Sequence, residues 1–79
     1  MQTVNEALRL LRRQSDLEKA MKQPGGVRIT EEQELRDLRK RLLEFPEATE
    51  AALQAAHAMR RSISEITARD VELWAKTSA

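Results

Sequence analysis

The chain of 79 residues has no cysteine and one histidine. Disulfides, thiolate zinc sites, iron–sulfur ligation and a cysteine nucleophile are therefore excluded, and a single imidazole is too few for a histidine-built metal centre. Glycine and proline are scarce as well, two of each, where average usage gives roughly nine together. So few turn formers argue for helices over strands. There is no run of ~20 consecutive apolar residues of the kind that crosses a bilayer. The first residues lead straight into a charged, periodic segment with no apolar signal region, so the expectation is a cytoplasmic chain that does not engage a membrane. What is present is balanced: 41% hydrophobic and 34% charged residues, too apolar for a solvating disordered tail. A chain this short buries only about 60% of the surface it exposes when unfolded, which allows one domain with a marginal core.

The periodicity predicts an all-α fold, a small helical bundle of three main helices plus a short C-terminal helix, over about 3–23, 31–44, 46–62 and 68–77. In the first, Val4, Leu8, Leu11 and Ser15 share one face and Leu10, Leu17 and Met21 a neighbouring one. A stripe this broad suits a helix with two sets of neighbours. Pro24-Gly25-Gly26 ends it. Residues 27–29 form at most a short extended stretch before Thr30-Glu31-Glu32-Gln33, which reads as a capping box with Thr30 as N-cap. Leu35, Leu38, Leu42 and Phe45 then alternate at spacings of three and four, until Phe45-Pro46 interrupts them with a corner or kink.

Six alanines between Ala48 and Ala58 mark a third helix that another backbone can approach closely. Thr67 reads as the cap of the last helix, with Ile66 and Val71 as a hydrophobic staple and Thr77-Ser78-Ala79 as a polar tail.

Fourteen basic and thirteen acidic residues nearly cancel, so a phosphate-binding surface would depend on arrangement alone. Acids open the second and third helices and bases close them, as helix dipoles favour. Three basic clusters remain: Arg12 with Arg13, Arg39 to Arg41, and Arg60 with Arg61. A glycine-rich phosphate loop, a nucleophile elbow and a pair of histidines at helical spacing are all missing, which points to a non-catalytic protein without cofactors. His57 borders the apolar stripe of the third helix, where packing is the expected role, and Met21 and Met59 read as core gap fillers.

The segment LEKAMKQPGGVRIT, Leu17 to Thr30, resembles the first helix and loop of small histone-fold proteins, and His57 to Arg61 followed by Ile66 to Val71 is similar to that family's second loop and third helix. The resemblance implies DNA binding, with Arg28, Arg60, Arg61 and Thr67 as phosphate contacts and Arg60 with Asp70 as an internal clamp. Pro46 departs from that pattern, because the family's middle helix is unbroken, and the second loop is about one helical turn longer.

The leading expectation is a small protein-protein interaction or regulatory module acting through an apolar helical face. DNA binding of histone-like or helix-turn-helix type is the alternative. Leu10, Leu17, Met21 and Trp74 are the candidate partner-binding residues. Below ~80 residues a chain without disulfide or metal commonly adds a second subunit, so a homodimer is expected.

Overall fold

The structure is a computed structural model that describes residues 2–26 and 28–78. It holds four helices, α1 (Gln2–Met21), α2 (Ile29–Leu42), α3 (Pro46–Met59) and α4 (Ala68–Ser78), and no strand among the described residues. The short extended stretch considered at 27–29 falls partly on Val27 and the polar tail partly on Ala79, both outside the described residues; Ile29 itself is helical.

The broad apolar side of α1 explains the arrangement, because α1 packs against all three other helices. Leu10 and Leu17 lie on the side bearing Glu6 and Arg13, whose ion pairs to Arg41 (2.8 Å) and Glu34 (2.7 Å) put α2 there and make it antiparallel to α1. Leu35, Leu38 and Leu42 are the buried residues of α2. Exposed pairs of this kind add little stability, but two of them at different levels fix register. On the next side, Leu11 and Ser15 share a groove with Leu53 and Ile63, which places α3 beside them. The buried residues of α3 are Ala52, Ala55 and Ala56, so α1 and α3 meet through small side chains. The third side is reached one turn after Leu8, where Arg12 donates to the Ile66 carbonyl at the entrance of α4.

Phe45-Pro46 is a corner rather than a kink. Phe45 leaves helical geometry at φ −127°, ψ 59°, and Pro46 stands in the first turn of α3, where its missing N–H costs nothing. The Thr49 hydroxyl donates to the Leu42 carbonyl across the corner, 3.4 Å. From there α3 runs alongside α1 in the same direction, since Phe45 borders a cleft with Thr3 and Glu6 while Leu53 sits near Gln14 and Glu18. Residues 29–59 thus form two opposed helices, not the single long middle helix that the histone-fold resemblance implies.

The helix ends correct several expected boundaries. α1 stops at Met21, and Gly25 and Gly26 both turn left-handed, at φ 100° and 64°, a region where a β-carbon would be strained. α2 begins at Ile29, two residues before the expected start. Its N-cap is Arg28, whose N–H donates to Glu31 Oε1 at 3.4 Å, and whose carbonyl accepts from the Glu31 and Glu32 amides. A guanidinium has no acceptor, so this is only the acidic half of a capping box. Thr30 therefore sits inside the first turn and caps nothing, because Glu31 reaches back to Arg28, two residues before the pairing of Gln33 with Thr30.

α3 ends at Met59 rather than 62. Arg60 adopts the left-handed conformation at φ 55°, ψ 41°, with its N–H on the His57 carbonyl and the Arg61 N–H on the Ala56 carbonyl, a complete Schellman motif. The start of α4 is as expected: Thr67 Oγ1 accepts from the Asp70 N–H (3.2 Å), Asp70 Oδ2 accepts from the Thr67 N–H (3.1 Å), and Ile66 and Val71 are both buried in the core.

The resulting body is flat, 43 × 25 × 13 Å, with a radius of gyration of 13.4 Å. A compact chain of this length would have about 11.6 Å. The accessible surface is 5813 Å², whereas a monomeric protein of this mass exposes about 4,900 Å².

Three outcomes in urea unfolding follow. Thr67→Ala lowers stability by about 1 kcal/mol, whereas Thr30→Ala changes it by less than about 0.5. Arg60→Gly raises it by about 0.5–1 kcal/mol, because glycine removes the left-handed strain at the end of α3.

The hydrogen bond from the Thr67 backbone, helped by the Thr67 hydroxyl and Arg61, holds the Asp70 carboxyl below its ordinary range. A group lowered on folding stabilises fully above its unfolded pKa of about 4 and ceases to do so as pH falls through the folded value. Asp70→Asn therefore makes the unfolding midpoint less dependent on pH on the acid side of about pH 4, read in the same titration.

Candidate functional site

The residues expected to face a partner separate into two groups. Leu10 is 0% and Leu17 2% exposed, and α2 of the same chain covers them. The second face of α1 is thus closed from within, and that face offers a partner nothing. The sequence did not show this because a broad apolar stripe looks the same whether its second neighbour is internal or external. Met21, by contrast, is 47% exposed, not the core filler its spacing suggests. It is the last residue of α1 and borders a cleft with Glu32 and Leu35 of α2.

Trp74 is half-buried against the core and borders a cleft of about 500 Å³ with Pro46, Glu47, Glu50, Ala51 and Gln54. It therefore closes α4 onto the start of α3 and leaves one edge open beside two carboxylates.

The phosphate contacts that the histone resemblance implies do not come together. Arg28 caps α2, and Thr67 is engaged in its reciprocal cap. Arg61 stands 3.9 Å from Asp70, so the clamp expected of Arg60 is made by its neighbour. The left-handed turn at Arg60 shifts which of the two side chains faces α4. The three basic clusters are likewise dispersed. Arg13 and Arg41 pair with Glu34 and Glu6, and Arg12 is engaged with the Ile66 carbonyl. Arg39 to Arg41 end α2 beside the start of α1, while Arg60 and Arg61 follow the far end of α3, roughly 20 Å away by helix length.

Charge pairing is visible in the carboxyls. A hydrogen bond from Arg9, reinforced by Arg41, lowers Glu6, and a hydrogen bond from Arg13 lowers Glu34. These groups are built to stay ionised and hold helices in register, not to exchange protons. Among the described residues no three His, Asp or Glu side chains gather as a metal site requires, and no helix is long and apolar enough to cross a membrane.

What the fold does assemble is two shallow clefts along α1. α2 and α3 each lean on α1 and scarcely meet one another. Leu11, Gln14, Ser15 and Glu18 border one cleft of about 280 Å³ with Leu53 and Ile63, and Met21 borders another of about 150 Å³ with Glu32, Leu35, Arg36 and Arg39. Leu53 is 45% exposed. Gln14 donates to Glu18 Oε1 at 2.8 Å, while its own Oε1 is buried without a partner. Neither cleft is legible in the spacing of apolar residues, because both depend on the corner at Phe45-Pro46 that sends α2 and α3 to different sides of α1.

No protein-family model, no curated protein and no solved structure matches this chain.

Among the described residues Arg12 is the one basic side chain that is not exposed; a terminal nitrogen of its guanidinium donates to the Ile66 carbonyl, and its Nε is buried without a partner. Arg12→Met removes the donor and leaves that carbonyl without its partner. The expected result is a loss of about 1–2 kcal/mol in urea unfolding and a red shift of Trp74 emission as α4 loosens.

Proposed function

We propose that this chain is a small protein-interaction or regulatory module that works through an apolar helical surface and not through catalysis. The observation that carries this reading is the surplus surface. The chain exposes 5813 Å², about 900 Å² more than a self-sufficient monomer of its mass. Met21, Leu43, Leu53 and Leu73 contribute exposed apolar area to it. Exposed apolar area is the kind of surface that protein partners cover. The cysteine-free, charge-balanced chain is read as a cytoplasmic one.

Salt separates this reading from DNA binding. A protein that neutralises several phosphates loses roughly a thousandfold or more in affinity between 50 and 200 mM salt, and an apolar contact does not. Fluorescence anisotropy with a labelled duplex is expected to show no binding that is strong at low salt and lost at 200 mM. Tight, steeply salt-dependent binding would overturn the interaction reading.

A further inference from the structure

We propose that the cleft between the start of α3 and Trp74 of α4 is a socket for one arginine side chain of a partner protein. This deepens the interaction reading above and rests on it, since it names the group by which the partner is anchored. The cleft holds about 500 Å³ and is bordered by Pro46, Glu47, Glu50, Ala51, Gln54 and Trp74. That is room for a single long side chain.

The lining selects a guanidinium. Trp74 packs against the core, so its indole is held in place while part of it stays open to the cleft, and an indole is the best aromatic partner of a cation. Glu47 and Glu50 are the charged residues of the lining, and neither takes part in an ion pair among the described residues. Elsewhere the fold gives Glu6, Glu34, Asp70 and Glu72 a base each. The Gln54 side-chain amide donates to Glu50 Oε1 at 2.7 Å, which orients that carboxylate and leaves its other oxygen for a ligand. The N-terminus of α3 carries roughly half a positive charge, which offsets only part of the two carboxylates. The cleft therefore stays negative.

Pro46 and Ala51 add apolar contact for the methylene stem of a long cationic side chain. Arginine fits better than lysine, because its planar guanidinium stacks on an aromatic ring and also forks onto a carboxylate. The clefts at Glu6 and at Glu32 lack this selectivity, since Arg9 lines the first and Arg36 and Arg39 line the second.

Trp74 is the only tryptophan and tyrosine is absent, so intrinsic emission reports this cleft. The probe is a capped glycine peptide with one central arginine, titrated into the millimolar range against the same peptide with citrulline, whose urea keeps the shape of a guanidinium without its charge. The arginine peptide is expected to change Trp74 emission saturably and to bind about tenfold more tightly than the citrulline peptide, with a lysine peptide between them. Glu47→Gln combined with Glu50→Gln is expected to weaken arginine binding roughly tenfold. Both positions are exposed, so helical circular dichroism should not change. Glu32→Gln with Asp37→Asn removes the same charge from α2 and should leave the affinity as it was. Trp74→Leu, followed through the amide shifts of Ala51 and Gln54 in NMR, is expected to weaken binding roughly threefold. Should that variant lose helicity, the glutamine pair alone decides.

Equal binding of the citrulline peptide, no response to any of the peptides, or equal weakening by the α2 pair would overturn the socket. With duplex DNA still unbound, each of these results leaves the interaction reading standing. Duplex binding that falls steeply with salt overturns that reading instead, and the socket with it.

Discussion

Every helix of this protein depends on one constraint, the width of the apolar side of α1. With Leu10 and Leu17 on one flank, Ala7 and Leu11 in the middle and Leu8 on the other, α1 is buried around more than half its circumference. No other helix has that property. The buried residues of α2 lie along a single stripe, Leu35, Leu38 and Leu42, and those of α3 are three alanines. α2 packs chiefly on α1, α3 bridges α1 and α4, and α4 is held mainly through α3, so the bundle is built outward from α1 rather than as a ring of equivalent contacts. The ion pairs Glu6–Arg41 and Arg13–Glu34 follow from this geometry: they flank the leucine seam and choose its register, while the burial between them supplies most of the attraction.

The same constraint accounts for the thinness of the body. Ala7, Ala52, Ala55 and Ala56 make up much of the buried set, and the only two aromatic residues, Phe45 and Trp74, pack at its margin without being enclosed. Alanine contacts let α1 and α3 approach closely but remove little apolar area from water per residue. A flat arrangement of four helices with such a core leaves more surface than a rounded chain of equal mass, and both the radius of gyration and the accessible area carry that mark.

Much of the architecture could be read in the amino acids, and the misreadings have identifiable causes. The four helices follow from periodicity and from the scarcity of glycine and proline. The cap at Thr67 was legible because Asp70 stands three residues on and Ile66 and Val71 bracket it, so three independent signals agree. At Thr30 only one signal was present, and Glu31, serving Arg28, set a different start. The end of α3 was misplaced because Arg60 takes a left-handed conformation that a glycine usually announces. Its hydrogen bonds to the preceding turn hold it there in spite of its β-carbon. The clefts along α1 were the least legible feature. They depend on α2 and α3 going to different sides of α1, and the spacing of apolar residues along a chain does not encode which neighbour a stripe will meet.

The fate of the charges decides what kind of surface is left. A sequence with fourteen basic residues, seven of them in three clusters, invites an electrostatic reading, yet the fold engages Arg12, Arg13, Arg41 and Arg61 in contacts of its own. It also puts Arg39 to Arg41 and the pair Arg60–Arg61 beyond opposite ends of α3, roughly 20 Å apart by helix length. Salt screens charges more than about 10 Å apart at ordinary ionic strength, so these two clusters act singly, and a single pair of arginines is a weak phosphate ligand. The apolar side chains behave differently. Leu35 is buried, while Met21, Ile29, Leu43, Leu53 and Leu73 stay exposed on the four helices and at the end of α2. Folding thus engages much of the charge internally and leaves apolar area in water, and that is why apolar contact, rather than a basic face, is what a partner would have most to gain from.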